Sequence, residues 1–282
     1  MENKKIIMPK DKKIQTINLL VFFLMLLIFF TSISAYGKEK IVLTDTRHIN
    51  ITYETAGELK KLKQIIKRVN PKGLYIEQWI VVDPKYPNLL KKLNKIAKKN
   101  DIKLYLVIGK NTWFGKRAQL NTLEALKLYK DYIDGIVLRA EPNKINIWKK
   151  DDASIKAQIL NFTLDGYLAA TKHAKEYKKL FIGEFPFWYS DFSAPGGTFS
   201  ENSCKCTDRI IFLVDDIEKL NELEIEWNNV TCMYNIDLTK RATAKTEEQI
   251  AKAYYQIKDK IPMHANFNGF LIDSDSKLLE DL

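Results

Sequence analysis

Residues 131–143 read DYIDGIVLRAEPN: a turn at Asp134 and Gly135, a short apolar run, then Arg139 and Glu141 just ahead of Pro142. A continuous apolar run bounded by turn residues is the pattern of a strand covered on both faces, as in a parallel sheet. The same pattern recurs at IVLTDT (41–46), GLYIEQW (73–79), KLYLVIG (103–109), GIVLRAE (135–141), LFIGEFP (180–186), IIFLVDD (210–216), TCMYNID (231–237) and GFLIDSD (269–275). Most intervening segments have helical periodicity. Leu59, Leu62, Ile65, Ile66 and Val69 fall on one face, as do Leu89, Leu90, Leu93, Ile96 and Ala97. Thr246 and Gln249 form a capping box that opens EEQIAKAYYQIK. Eight strands alternating with helices, at a spacing of roughly thirty residues, predict a single (β/α)8 TIM barrel over residues 38–282. The glycine fingerprint of an open, dinucleotide-binding sheet is missing, as is a Walker loop. Residues 187–208 read as the longest loop without a helical pattern, and loops of that length often carry function.

The first 37 residues stand apart from this repeat. Lys4, Lys5, Lys10, Lys12 and Lys13 precede the apolar run LLVFFLMLLIFF (19–30), and TSISAYG follows. This is the layout of an export signal cleaved after Ala35 or Gly37; with its flanks counted, residues 17–36 would also serve as an uncleaved membrane anchor. Either way the barrel is expected outside the cytoplasm, secreted or periplasmic, or held to a membrane by its amino terminus. The chain carries 45 Lys and Arg against 35 Asp and Glu, a net charge of +10. The excess lysine lies along helix-like stretches such as LLKKLNKIAKKN and reads as solvated outer faces. No lysine run interleaves with aromatics in a nucleic-acid motif, so no nucleic-acid partner is expected.

In a parallel barrel the carboxyl ends of the strands form the functional face. Those ends are acidic here: Asp45, Glu77, Glu141, Glu184, Asp215 and Asp216, Asp237, Asp273 and Asp275. Helix capping accounts for some of the aspartates. It does not account for Glu141 and Glu184, which end apolar runs where an unpaired charge costs several kcal/mol. Paired carboxylates are the means of glycosidic bond cleavage: one, kept protonated, protonates the leaving oxygen, and the other stabilises or attacks the cationic centre. The expected catalytic set is Glu141 as general acid with Glu184 and Asp237. Arg139 is expected to pair with an inward carboxylate and keep it ionised.

Flat aromatic rings add to that reading, because they stack on the apolar faces of sugars. Trp79 ends the second run, Trp113 follows the third, and Trp188 and Tyr189 follow the fifth. With Arg139, Asp45, Glu77, Tyr234, Asn235 and Asp273 they make up the expected substrate-binding set for a polysaccharide or glycan. No metal or cofactor is expected: His48, His173 and His264 are scattered, and only His48, read as following the first strand, is well placed. Cys204, Cys206 and Cys232 allow one disulfide whose partners spacing does not decide, with Cys232 reading as a core residue. No feature specifies an oligomer.

DGIVLRAE resembles the signature D-G-x-D-x-D-x-E of family-18 chitinases, in which the final Glu is the catalytic acid. Asp134, Gly135 and Glu141 match, whereas Val137 and Arg139 stand at the two internal acids. KLYLVIGKNTW and CMYNID are similar to that family's S-x-G-G-W and M-x-Y-D. AEPN (140–143) equally resembles the N-E-P ending of strand four in the clan of retaining glycosidases; there the Glu is the acid/base and a Glu on strand seven is the nucleophile, where this chain has Asp237. Both resemblances imply a TIM-barrel glycoside hydrolase with Glu141 as its acid. Arg139, at the position where a chitinase holds an Asp that orients the substrate acetamido group, implies an altered mechanism. The alternative is a non-catalytic barrel, binding carbohydrate or protein, in which Arg139 and Glu141 form a structural ion pair.

Overall fold

Eight strands hydrogen bond in chain order and the eighth returns to the first, closing a parallel barrel. The computed structural model describes residues 47–150, 152–192, 197–214, 223, 230–240, 246–258, 260 and 265–279. In chain order these contain β1 (Arg47–Ile51), α1 (Tyr53–Ala56), α2 (Leu59–Val69), β2 (Gly73–Glu77), α3 (Gln78–Val81), α4 (Leu89–Lys99), β3 (Lys103–Ile108) and α5 (Lys116–Tyr129). Then follow β4 (Gly135–Arg139), α6 (Ala153–Glu176), β5 (Leu180–Pro186), α7 (Phe199–Cys206), β6 (Arg209–Leu213), β7 (Met233–Asp237), α8 (Glu247–Lys258) and β8 (Phe267–Asp273). Short 3-10 turns lie at Pro142–Lys144, Phe187–Asp191 and Lys277–Leu279.

The helices form where the apolar spacing requires them. α2 buries Leu62, Ile65, Ile66 and Val69, and α4 buries Leu89, Leu90, Leu93, Ile96 and Ala97, each against the outside of the sheet. α2 stops where Asn70 turns left-handed (φ 48°) and donates its N–H to Ile66 O, as the sequence NPKG leads into β2. α6 begins at Asp152, whose carboxylate accepts the N–H groups of Ser154 and Ile155. The large core lies between the sheet and this outer layer. A smaller one fills the barrel interior: Tyr75, Tyr105, Val107, Val137, Ile182, Ile211 and Leu271, one or two from each of six strands.

Seven strands fall on the expected runs, trimmed or shifted by up to three residues at their ends, and the first is corrected. It is RHINI, residues 47–51, rather than IVLTDT, residues 41–46, which lie outside the described residues together with Asp45. The reason is alternation. Ile49 and Ile51 face the outer core while the polar His48 and Asn50 face the interior, so the true strand is less continuously apolar than the run before it. His48 is accordingly inside β1 rather than after it. Residues 187–208 are also corrected: they hold a 3-10 turn and α7, opened by a capping box in which Thr198 and Glu201 exchange side-chain-to-backbone hydrogen bonds. Cys232 is not a plain core residue. It forms a disulfide with Cys204, and Cys206 is the free thiol. Asp215, Asp216 and His264 lie outside the described residues, as does the whole amino-terminal segment.

Candidate functional site

Period-two alternation puts Glu77, Arg139, Glu184 and Asp237 at the inward positions that end β2, β4, β5 and β7, directly above the apolar plug. Gly109 lets this happen. With φ at +146° it ends β3 against the Arg139 backbone, and a Cβ there would sit 2.0 Å from Arg139 O. The Arg139 guanidinium donates from Nη1 to Glu77 Oε1 at 2.8 Å and from Nη2 to Glu184 Oε1 at 2.6 Å, with Asp237 Oδ2 3.5 Å from Nη2. Burial opposes its charge, but Glu184 and Glu77 outweigh that and hold the guanidinium protonated.

Three carboxyl groups around one cation leave an excess of negative charge that a proton offsets. Asp237 is held well above the usual carboxylate range, first by burial and then by the charge of Glu184, with Arg139 pulling the other way. Both carboxyls face the same guanidinium nitrogen, Arg139 Nη2, with Glu184 Oε1 at 2.6 Å and Asp237 Oδ2 at 3.5 Å. Glu184 Oε2 and Asp237 Oδ2 are buried and receive no hydrogen bond among the described residues; the proton that burial keeps on Asp237 makes that carboxyl a donor. Asp237 Oδ1 accepts the N–H of Thr239 at 2.7 Å, which fixes the rotamer.

On the other side of the barrel mouth, Asp273 ends β8. It accepts the Asn50 side-chain amide at 2.7 Å and the Lys240 N–H at 2.8 Å, and burial raises its pKa from 3.8. Asn50 is a site residue that the strand search missed, and the signal for it was the alternation in RHINI. Below Asp237 on the same face of β7, Asn235 donates to Gly269 O and accepts from Asn268, closing the lower interior rather than facing the mouth. At that lower end His48 bonds Asn268 O through Nε2, and burial lowers its pKa from 6.5 to about 4.

The Arg139–Glu141 ion pair of the alternative reading is not formed. β4 ends at Arg139, so Glu141 lies beyond the pleat, on the loop at the rim, where its side chain is 15 % exposed and pairs with Lys144. A residue that leaves the strand no longer shares the face of the position two before it. The loop is held from β5: Tyr189 Oη donates to Asn143 Oδ1 at 2.6 Å. Tyr189 is fully buried in a ring cluster with Trp148, Trp188, Phe185 and Phe199, and Trp113 is partly buried, so the rings after β3 and β5 chiefly build the wall. Tyr234 points outward from β7 between Phe212 and Phe267, away from the carboxyls.

Trp79 differs from the other rings. It stands on α3, two residues past Glu77, and is 53 % exposed. Its ring stacks on Tyr53 at 5.5 Å and 12°. Tyr53 is fixed by its hydroxyl, which donates to Asp83 Oδ2, and by Lys85 Nζ over its ring at 4.9 Å. Tyr86 packs edge-on against Tyr53 and donates to Tyr53 O. Beside this stack runs a groove of about 710 Å³ lined by Tyr53, Tyr86, Lys85, Glu54 and Glu58.

The strand order, the closure and the acid-rich carboxyl ends define a (β/α)8 TIM barrel with an arginine-clamped carboxyl cluster at its functional face. Similar solved structures include the YdjI aldolase from Escherichia coli K12, at 9 % identity and a TM-score of 0.51 over 82 % of this chain and 75 % of that one. They also include two glycan-acting hydrolases. The catalytic domain 2 of the Ostrinia furnacalis group II chitinase matches at 11 % and 0.50 over 69 % of this chain and 63 % of that one. A GH20 catalytic module of the pneumococcal exo-beta-D-N-acetylglucosaminidase StrH matches at 10 % and 0.50 over 83 % and 79 %. At these identities the likeness is one of fold. No protein-family model and no curated protein matches the sequence.

Proposed function

We propose that this chain is an exported, glycoside hydrolase-like barrel acting on a polysaccharide or glycan. The observation that carries the reading is the buried Glu184–Asp237 carboxyl pair, both facing Arg139 Nη2 near the carboxyl ends of β5 and β7. A carboxyl that burial keeps protonated beside an arginine and other carboxyl groups is an acid/base device. The two carboxyls are held on one guanidinium nitrogen, Arg139 Nη2. The pair therefore acts as one unit facing the developing positive charge, and Glu141, on the rim, is the general acid that protonates the leaving oxygen. Trp79 is the stacking platform for a sugar ring next to Glu77. The Cys204–Cys232 disulfide supports export, because such bonds persist in oxidising compartments. Residues 17–36 either leave with the signal or attach the barrel to a membrane.

A second reading is favoured by one feature: Glu184 and Asp237 are both 0 % exposed, so a ligand meets Trp79 and the rim before it meets the pair. In that reading the barrel binds glycans without cutting them. Incubating the protein with a panel of polysaccharides, and following both released reducing ends and binding, separates the two. Cleavage abolished by Glu141→Gln and by Asp237→Asn supports the hydrolase. Saturable binding with no reducing ends supports the binding barrel, and neither activity on any polysaccharide overturns both.

A further inference from the structure

The net charge is not spread evenly over the barrel. α2 and α4, neighbouring outer helices, contain ten Lys and Arg and no Asp or Glu, which equals the net +10 of the whole chain. Part of this is ordinary helix chemistry, since cations in a last turn complement the helix dipole. That accounts for Lys67 and Arg68 in α2 and Lys98 and Lys99 in α4. It does not account for Arg47, Lys72 and Lys103, which are not in helices.

These seven residues occupy one end of the barrel, where α2 and α4 finish and β1, β2 and β3 begin. Backbone hydrogen bonds tie them side by side: Lys72 N–H donates to Arg47 O at 2.9 Å, and Lys103 N–H donates to Lys72 O at 3.2 Å. The acids at this corner are Asp101 and Asp134, and Asp134 is occupied by Lys103 at 3.3 Å. Lys67, Arg68, Lys72, Lys98 and Lys99 are exposed and form no ion pair among the described residues. The opposite end is the acidic mouth with Glu77, Glu184, Asp237 and Asp273. Residues 1–46, with their apolar run at 19–30, join it at Arg47, on the basic end.

We propose that this basic end, the corner formed by Lys67, Arg68, Lys72, Lys98 and Lys99, docks on an anionic phospholipid surface. The inference rests on the reading that residues 17–36 attach the chain to a membrane. Basic residues beside a membrane attachment are drawn to anionic headgroups over a Debye length, about 8 Å at physiological salt. A tether entering at the same end raises the local concentration of lipid that this corner meets. Docking there directs the acidic mouth away from the bilayer, toward a glycan on the far side.

Flotation and hydrogen exchange of the full chain test this, using vesicles of phosphatidylcholine alone and vesicles containing phosphatidylglycerol. The expected result is flotation with both, and amide exchange over residues 67–72 and 98–103 that slows several-fold only with phosphatidylglycerol. That protection should vanish at about 1 M salt, where the screening length is ~3 Å. It should also vanish in the quadruple variant Lys67→Glu, Arg68→Glu, Lys98→Glu, Lys99→Glu, which should still float with phosphatidylcholine and keep its melting temperature. Equal exchange in the two lipids overturns the docking surface even if the chain floats. Flotation with phosphatidylglycerol alone overturns the attachment while sustaining the surface. Flotation with neither overturns both. The lipid and salt comparisons need no variant, so they decide the matter even if the quadruple variant does not fold.

Discussion

Arg139 Nη2 donates to Glu184 Oε1 at 2.6 Å, deep in the barrel mouth, while Glu141, two residues along the chain from Arg139, turns away to Lys144. The arginine is therefore the counter-charge of the interior carboxyls and not a permanent partner of the rim glutamate. Replacing it with Met would leave Glu77, Glu184 and Asp237 together with no cation. Breaking a buried pair in this way costs about 3–5 kcal/mol. Urea unfolding of Arg139→Met should show a loss of that size, and a variant of wild-type stability would remove Arg139 from the account of the cluster.

Asp237 gives the stability a pH dependence of known sign. Its folded pKa is raised, so the native state keeps a proton that the unfolded chain releases near pH 3.8. The stabilisation is complete below that pH and is lost as pH rises toward the folded value. Asp237→Asn, which carries an amide where the protonated carboxyl stands, removes this slope. Stability of the variant relative to wild type, measured by denaturant unfolding across pH 3.5 to 8, should rise with pH. A flat difference would show that Asp237 does not keep its proton in the native state.

His48 has the opposite slope. Buried and neutral, with its pKa lowered from 6.5 to about 4, it binds a proton in the unfolded chain before it does so in the native one. The protein should lose on the order of 3 kcal/mol as pH falls from 6.5 to about 4. That fall should be absent from His48→Gln, and the imidazole titration followed by NMR gives the folded pKa directly.

The Trp79 ring carries little of the fold, being 53 % exposed, yet its stack on Tyr53 makes it a rigid surface. Trp79→Ala should leave the melting temperature nearly unchanged and weaken glycan binding by about tenfold, the scale of one lost ring contact of about 1.5 kcal/mol. Titration calorimetry with the best-bound oligosaccharide measures it, and unaltered affinity would move the sugar platform elsewhere.

Cys204 and Cys232 close a loop of 28 residues. The chain-entropy relation gives about 3–4 kcal/mol for a loop of that length. Unfolding with and without dithiothreitol should differ by about that amount, and the double variant Cys204→Ser, Cys232→Ser should be insensitive to the reductant.

Local pattern along the chain is enough to specify the barrel and its acidic face. The spacing of Leu59, Leu62, Ile65, Ile66 and Val69 is a property of one helix, and the run GIVL is a property of one strand; burial of each needs only local periodicity. Counting eight such units sufficed for closure, and period two sufficed to aim Val137 and Arg139 inward. It failed at β1, because a strand whose inward residues are His48 and Asn50 has no continuous apolar run to betray it. Partner choice, by contrast, follows from contacts between distant strands. Glu77, Glu184 and Asp237 are separated by 62, 45 and 98 residues from Arg139, and their meeting depends on how four strands are staggered around the barrel. The stagger also set the end of β4, leaving Arg139 in the interior and Glu141 on the rim. That Asp237 keeps a proton depends on burial and on Glu184 across the barrel, which pairing between strands brings about and no local pattern records.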